Sequence, residues 1–145
     1  MSPMMKRYAT MIVGVDVVLV AIHALAHLGA GIGLSLAGNV FVAVVIVLAP
    51  VLALFLLYSR LAGMGALLLS LSMFGAFVFG VCGHFLLPGA DNVLQIPSSV
   101  WRIPFQMTAV LLMVLQAAGT VVGVRCLSAV MRWKKVSNEK NRVAR

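Results

Sequence analysis

The chain has 145 residues, of which 63% are hydrophobic and only 10% charged, and its mean hydropathy is +1.12. Soluble domains carry about 25% charged residues, so an ordinary water-facing surface is excluded, and the length allows about four bilayer spans of ~20 residues. Eleven Lys and Arg against three Asp and Glu give a formal net charge of +8, a balance that points to nucleic acid only if the basic residues are not otherwise explained.

The first apolar stretch runs over about residues 11–34, behind the basic pair Lys6 and Arg7. A basic start resembles a signal peptide, but signal h-regions are only ~7–15 residues long, and this stretch also carries Asp16, His23 and His27. It reads as a retained helix. The second stretch covers about 40–58 and contains Pro50, the third about 61–87, and the fourth about 103–124. In lipid the backbone must satisfy itself, so each is expected as a helix; the alternating pattern of an outer-membrane barrel is absent. The expected fold is therefore all-α, an integral membrane four-helix bundle spanning 1–131. A basic tail, 132–145, is expected to fray into solvent.

Loop charges set the expected orientation. Lys6, Arg7, Arg60, Arg125, Arg132, Lys134, Lys135, Lys140, Arg142 and Arg145 fall on one side of a four-crossing chain, leaving Arg102 alone on the other. By the positive-inside rule both termini are cytoplasmic, in a multi-pass protein of the inner (plasma) membrane. The basic tail is then a topology anchor and a contact for anionic lipid, not for nucleic acid.

Small residues supply helix contacts in lipid, where apolar burial gives no preference between a neighbour and the solvent. Gly29 with Gly33, and Gly119 with Gly123, each form a G-x-x-x-G spacing, while Gly75, Gly80 and Gly83 line the third helix. Close packing within one bundle is the expected use, with pairing into a homo-oligomer or with a partner in a membrane complex as the alternative.

The polar residues inside the spans carry the functional argument, because ionisable groups in a bilayer are costly and mark sites. At ~100° per residue, Asp16 and His23 differ by about −20° and His23 and His27 by about +40°, which makes one polar stripe on helix 1 facing the interior. His84 lies near the outer end of the third helix, and Asp91 in the loop after it is placed to fold back on the same region. Two imidazoles at i and i+4, a third from another helix and a nearby carboxylate form a candidate metal site: His23, His27, His84 and Asp91. Imidazole donors with an oxygen suit zinc or copper. Gln106, early in the fourth helix, is a candidate for a supporting hydrogen bond. No H-E-x-x-H, nucleophile–base pair, phosphate loop or carboxylate dyad is present, so catalysis is not indicated.

Three alternatives stand beside the metal site. His27 and His84 lie at similar depth on two helices, as bis-histidine ligation of haem b in an electron-transfer subunit requires, with Arg102 placed to pair with a propionate. Asp16 supports proton-linked transport: one acidic residue in the first of four helices resembles, in arrangement only, the small proton-coupled multidrug transporters. Those use a glutamate, are shorter and lack the histidines and the basic tail, so no residue role is carried over. Finally, the histidines can be structural, tying helices together by hydrogen bonds worth ~0.6 kcal/mol each on average. Cys82 and Cys126 lie at opposite depths and read as small packing residues; nine methionines do not form a copper pattern.

Overall fold

The computed structural model describes residues 1–143, and the last two residues of the basic tail, Ala144 and Arg145, lie outside the described residues, as do several tail side chains, those of Lys134 and Lys140 among them. It is all-helical, with four helices long and apolar enough to cross a membrane. We number them α1 (Pro3–Ala30), α2 (Leu36–Leu57), α3 (Ala62–Leu86) and α4 (Arg102–Val143).

Each boundary has a local cause. Ser2 caps α1, its hydroxyl oxygen accepting from the Met5 amide at 3.4 Å, and Pro3 occupies the first turn, where a missing N–H is harmless. At the other end Gly31 takes a left-handed φ of 69°, and the Ile32 amide donates back to His27 O at 2.9 Å. That reversal is a glycine stop of the Schellman type. The helix therefore begins eight residues before the expected start, near 11, and ends four before 34. Ser35 then caps α2, accepting from the Gly38 amide at 3.1 Å.

α2 is not uniform. Residues Val42–Leu48 form a π-helical stretch immediately before Pro50, and the Ala49 amide donates to Val44 O, five residues back. Proline lacks an N–H, and its ring presses on the carbonyl four residues earlier, so the ladder widens ahead of it, as transmembrane helices tolerate. A second π turn, Cys82–Leu86, ends α3 and contains His84. π segments in this position frequently accompany functional sites. The last helix is longer than expected: instead of ending near 124 and fraying, the backbone stays helical through Val143.

α4 packs most extensively on α3 and α1, and α2 packs on α3, while α1 and α2 touch only sparingly. Glycines make the close approaches. A methyl at Gly123 would meet the Ser70 backbone, one at Gly119 would meet Met73 and Ile12, and one at Gly65 would meet the backbone of α2. The Gly119–Gly123 pair thus serves packing inside the bundle. The other pair does not behave as a helix contact, because Gly29 lies under the Trp101 indole while Gly33 sits past the end of α1 in open space.

The core has two parts. One, at the end where the chain starts, gathers Ala9, Val13, Ala53, Leu57, Ala66, Leu69, Met73 and Cys126. The other gathers Ala26, Ile32, Val93, Ile96, Phe105 and Ala109 around the histidines. Outward faces carry large apolar side chains such as Phe55 (71% exposed) and Leu71 (60%), a surface matched to lipid rather than water.

Candidate metal centre

α1, α3 and α4 bring the site together. His23 and His27 sit one turn apart on the inner face of α1, and the π turn of α3 supplies His84; all three are buried. Phe105 of α4, fully buried, lies against every ring, with centroids 4.8, 4.7 and 5.4 Å from His23, His27 and His84. The three imidazoles turn the same atom inward. His23 Nε2 is 3.2 Å from His84 Nε2 and 3.2 Å from His27 Nε2, and one ligand nitrogen from each ring falls within 4.8 Å of the others.

The outer nitrogens decide what that triangle is. His84 Nδ1 donates to Asp91 O at 2.9 Å, and His27 Nδ1 donates to Ile32 O at 3.3 Å. Carbonyl oxygens only accept, so both hydrogens reside on Nδ1. His23 Nδ1 lies 2.7 Å from Thr108 Oγ1. The single Thr108 hydrogen is committed to the helix backbone, donated to Pro104 O at 2.7 Å with Phe105 O at 3.1 Å. Thr108 oxygen therefore accepts from His23. Assigned from this network, all three rings are Nδ1–H tautomers whose bare Nε2 lone pairs point at one another. Bare acceptors 3.2 Å apart, as His23 Nε2 is from Nε2 of both other rings, repel unless a cation lies between them. Tetrahedral zinc with Zn–N of 2.0–2.1 Å places its nitrogens about 3.3–3.4 Å apart, close to the spacing found. The buried histidine group can hold a metal ion.

Asp91, expected as a fourth donor, stands beside the triangle and is not one of the three converging groups. Its Oδ1 is 3.3 Å from His27 Nε2 and 3.4 Å from His84 Nδ1, yet it is buried without an aligned hydrogen bond. Burial pushes this carboxyl up, but the His84 Nδ1–H beside it outweighs burial and holds Asp91 below the ordinary carboxylate range.

The loop between α3 and α4 caps the site. Val93 and Ile96 are buried against Phe105, and the Val93 amide donates to His84 O at 3.0 Å. Asn92 and Gln95 tie the turn internally, donating to Leu87 O and accepting from the Gly89 amide. Gln106 was expected to support a histidine; it instead donates to Val93 O at 2.6 Å and pins the cap. Beneath the triangle lies a cavity of about 360 Å³, reached by His23, His27, His84 and Asp91 from one end and by Gln116 from the other.

Asp16 is fully buried two turns from His23, with Oδ1 accepting from Gln116 Nε2 at 3.3 Å and Oδ2 unpartnered. A haem does not fit. His23 places its ring nitrogen 3.2 Å from both His27 Nε2 and His84 Nε2, in the space a macrocycle between those two would need. Arg102 is exposed at the start of α4. Cys82 and Cys126 are free thiols, and neither belongs to the converging group. The residues that sequence reasoning missed are Thr108 and Gln116, both polar positions within the apolar run of α4. Their polarity in a span was the available signal, but which histidine or acid each serves depends on how α4 rotates against α1.

Comparison with known proteins returns no match, whether to family models, to curated proteins or to solved structures.

Proposed function

We propose that the protein is a polytopic inner-membrane protein that binds one transition metal ion, zinc or copper, through Nε2 of His23, His27 and His84. One observation carries this reading: three Nε2 atoms converge while each Nδ1 faces an oxygen that can hold its hydrogen. Metal-ligating histidines are held this way, the outer hydrogen bond fixing tautomer and orientation. Asp91 supplies a neighbouring negative charge that offsets part of the dication. Loop charges put both termini in the cytoplasm and the site near the non-cytoplasmic face, where the basic tail does not reach and instead meets anionic lipid. Three protein ligands leave a fourth position open, the arrangement of sites that exchange a ligand rather than of closed structural ones. The role is binding or handling the metal, alone or as the metal-bearing subunit of a membrane complex.

The test is elemental analysis of detergent-purified protein loaded with zinc or copper and desalted. About one metal per chain is expected for the parent, and none for the variant with all three histidines replaced by Gln. Equal metal in both proteins, or none in the parent, refutes the reading. Acid should strip the ion, since each ligand must be neutral to bind.

Asp16 gives a second reading. Its complete burial with Oδ2 unpartnered supports a proton-exchanging role in transport, for which Asp16→Asn must abolish substrate flux while metal content is unchanged.

A further inference from the structure

The cavity under the triangle has walls that a metal site alone does not require. Its lining is largely apolar, with Val20, Ile46, Phe79 and Leu112 among its residues. Small-molecule sites have this character: concave, mostly apolar, with a few polar groups at defined points. Here the polar groups are at the two ends. At the upper end the three imidazoles, Asp91 and Asn39 reach the cavity; the Asn39 amide is given to Leu34 O at 3.2 Å, whereas Asp91 Oδ1 is buried without a hydrogen-bond donor. At the lower end is Gln116, 3% exposed, whose amide nitrogen is used by Asp16 and whose Oε1 faces the bare backbone of Gly80. Along α4 the lining runs from Ala109 to Gln116, a rise of about 10 Å at 1.5 Å per residue. The occupant is therefore elongated, roughly 10 Å long.

Its head group follows from the charges. Asp91 beside the open coordination position repels an anionic head and has no donor of its own. A neutral hydroxyl satisfies both: its oxygen has a lone pair for the metal and its hydrogen a carboxylate to meet. Resting on the metal assignment above, we propose that this cavity binds a lipid-soluble molecule with one terminal hydroxyl, the oxygen on the metal, the O–H donated to the Asp91 carboxylate, and the apolar body extending toward Gln116. Sparse contact between α1 and α2 leaves the volume for that body. A hydrocarbon chain of the bilayer is the competing occupant, and it has no use for either polar end.

The experiment uses the full chain loaded with cobalt(II) in lipid nanodiscs, with 1-octanol, heptyl methyl ether and n-octane as probes. Cobalt loading is measured first; failure to load would overturn the metal assignment and this inference together, before any probe is added. In loaded protein, 1-octanol is expected to shift the visible cobalt bands saturably, while the ether, which cannot donate, and octane leave them unchanged. Asp91→Ala should weaken the octanol response about tenfold or more, as expected for loss of a charged acceptor. Ala109→Leu and Ala24→Leu, on two walls of the cavity, should abolish it while cobalt still loads. No octanol response in cobalt-loaded parent overturns this inference alone. So does an equal response to octane or the ether, or a response that survives both filling variants.

Discussion

Thr108→Val is the most informative single change, because Thr108 is the one acceptor for an outer histidine nitrogen that mutation can remove. The other two acceptors are the backbone carbonyls of Ile32 and Asp91. Valine keeps the shape of threonine and deletes the oxygen that accepts from His23 Nδ1 at 2.7 Å. Two costs then combine. A buried N–H left without an acceptor costs about 1–3 kcal/mol, and the ring can escape this by moving its hydrogen to Nε2, which blocks metal. Both routes tax the metal-bound state, so zinc affinity should fall about 10–100-fold, the usual effect of losing an outer hydrogen bond of this type. Thr108→Ser, which keeps the oxygen, should stay within a few-fold of the parent. Thr120→Val, whose hydroxyl bonds only Gln116 O at 2.8 Å, controls for the loss of any threonine in α4. Affinity is read by competition with a chromogenic chelator in detergent. If Thr108→Val binds as tightly as the parent, or if Ser and Val lose equally, the tautomer argument is wrong.

Other expectations follow from the same geometry. Gly29→Leu should lower thermal stability by about 1–3 kcal/mol through overpacking, because the Trp101 indole occupies the space, whereas Gly33→Ala, in open space, should not; equal melting shifts would contradict the assigned packing. Gly123→Leu drives a side chain into the Ser70 backbone and should separate α3 from α4, seen as a drop in unfolding temperature larger than that of Gly33→Ala. In metal-free protein, Asp91 sits below the ordinary carboxylate range. Its stabilising contribution is therefore present above that range and lost as pH falls through the depressed value. Asp91→Asn should be less stable than the parent near neutral pH, with the gap closing in acid; a gap independent of pH refutes the assignment. Metal stoichiometry should be unchanged in Asp16→Asn, since Asp16 bonds Gln116 and touches none of the three rings.

How far the sequence could be read depended on the kind of feature. Apolar length was enough for four helices, because a bilayer admits few other backbones. Helical periodicity was enough to put Asp16, His23 and His27 on one buried stripe, and shared depth brought His84 to the same end. Three features lay beyond such reasoning. The Gly31 stop is local, but its competition with four more apolar residues in α1 is settled only by the turn that Ile32 makes back to His27 O. The π stretch before Pro50 is a response to proline whose extent depends on neighbouring helices. Thr108 and Gln116 were visible as polar residues, yet their partners lie 85 and 100 residues away in the chain, and only the rotation of α4 against α1 selects them. Asp91 returns to the histidines, but where its carboxylate comes to rest, 3.3 Å from His27 Nε2, was not legible, because the cap is positioned by Val93, Ile96 and the Gln106 bond.

X-ray absorption at the zinc edge of zinc-loaded protein in detergent addresses the central assignment most directly. The expected first shell is three imidazole nitrogens at 2.0–2.1 Å with one oxygen donor in the fourth position, the geometry of an open three-histidine site. A shell of oxygens only, a sulfur ligand, or a spectrum unchanged when His23, His27 and His84 are all replaced by Gln would contradict it.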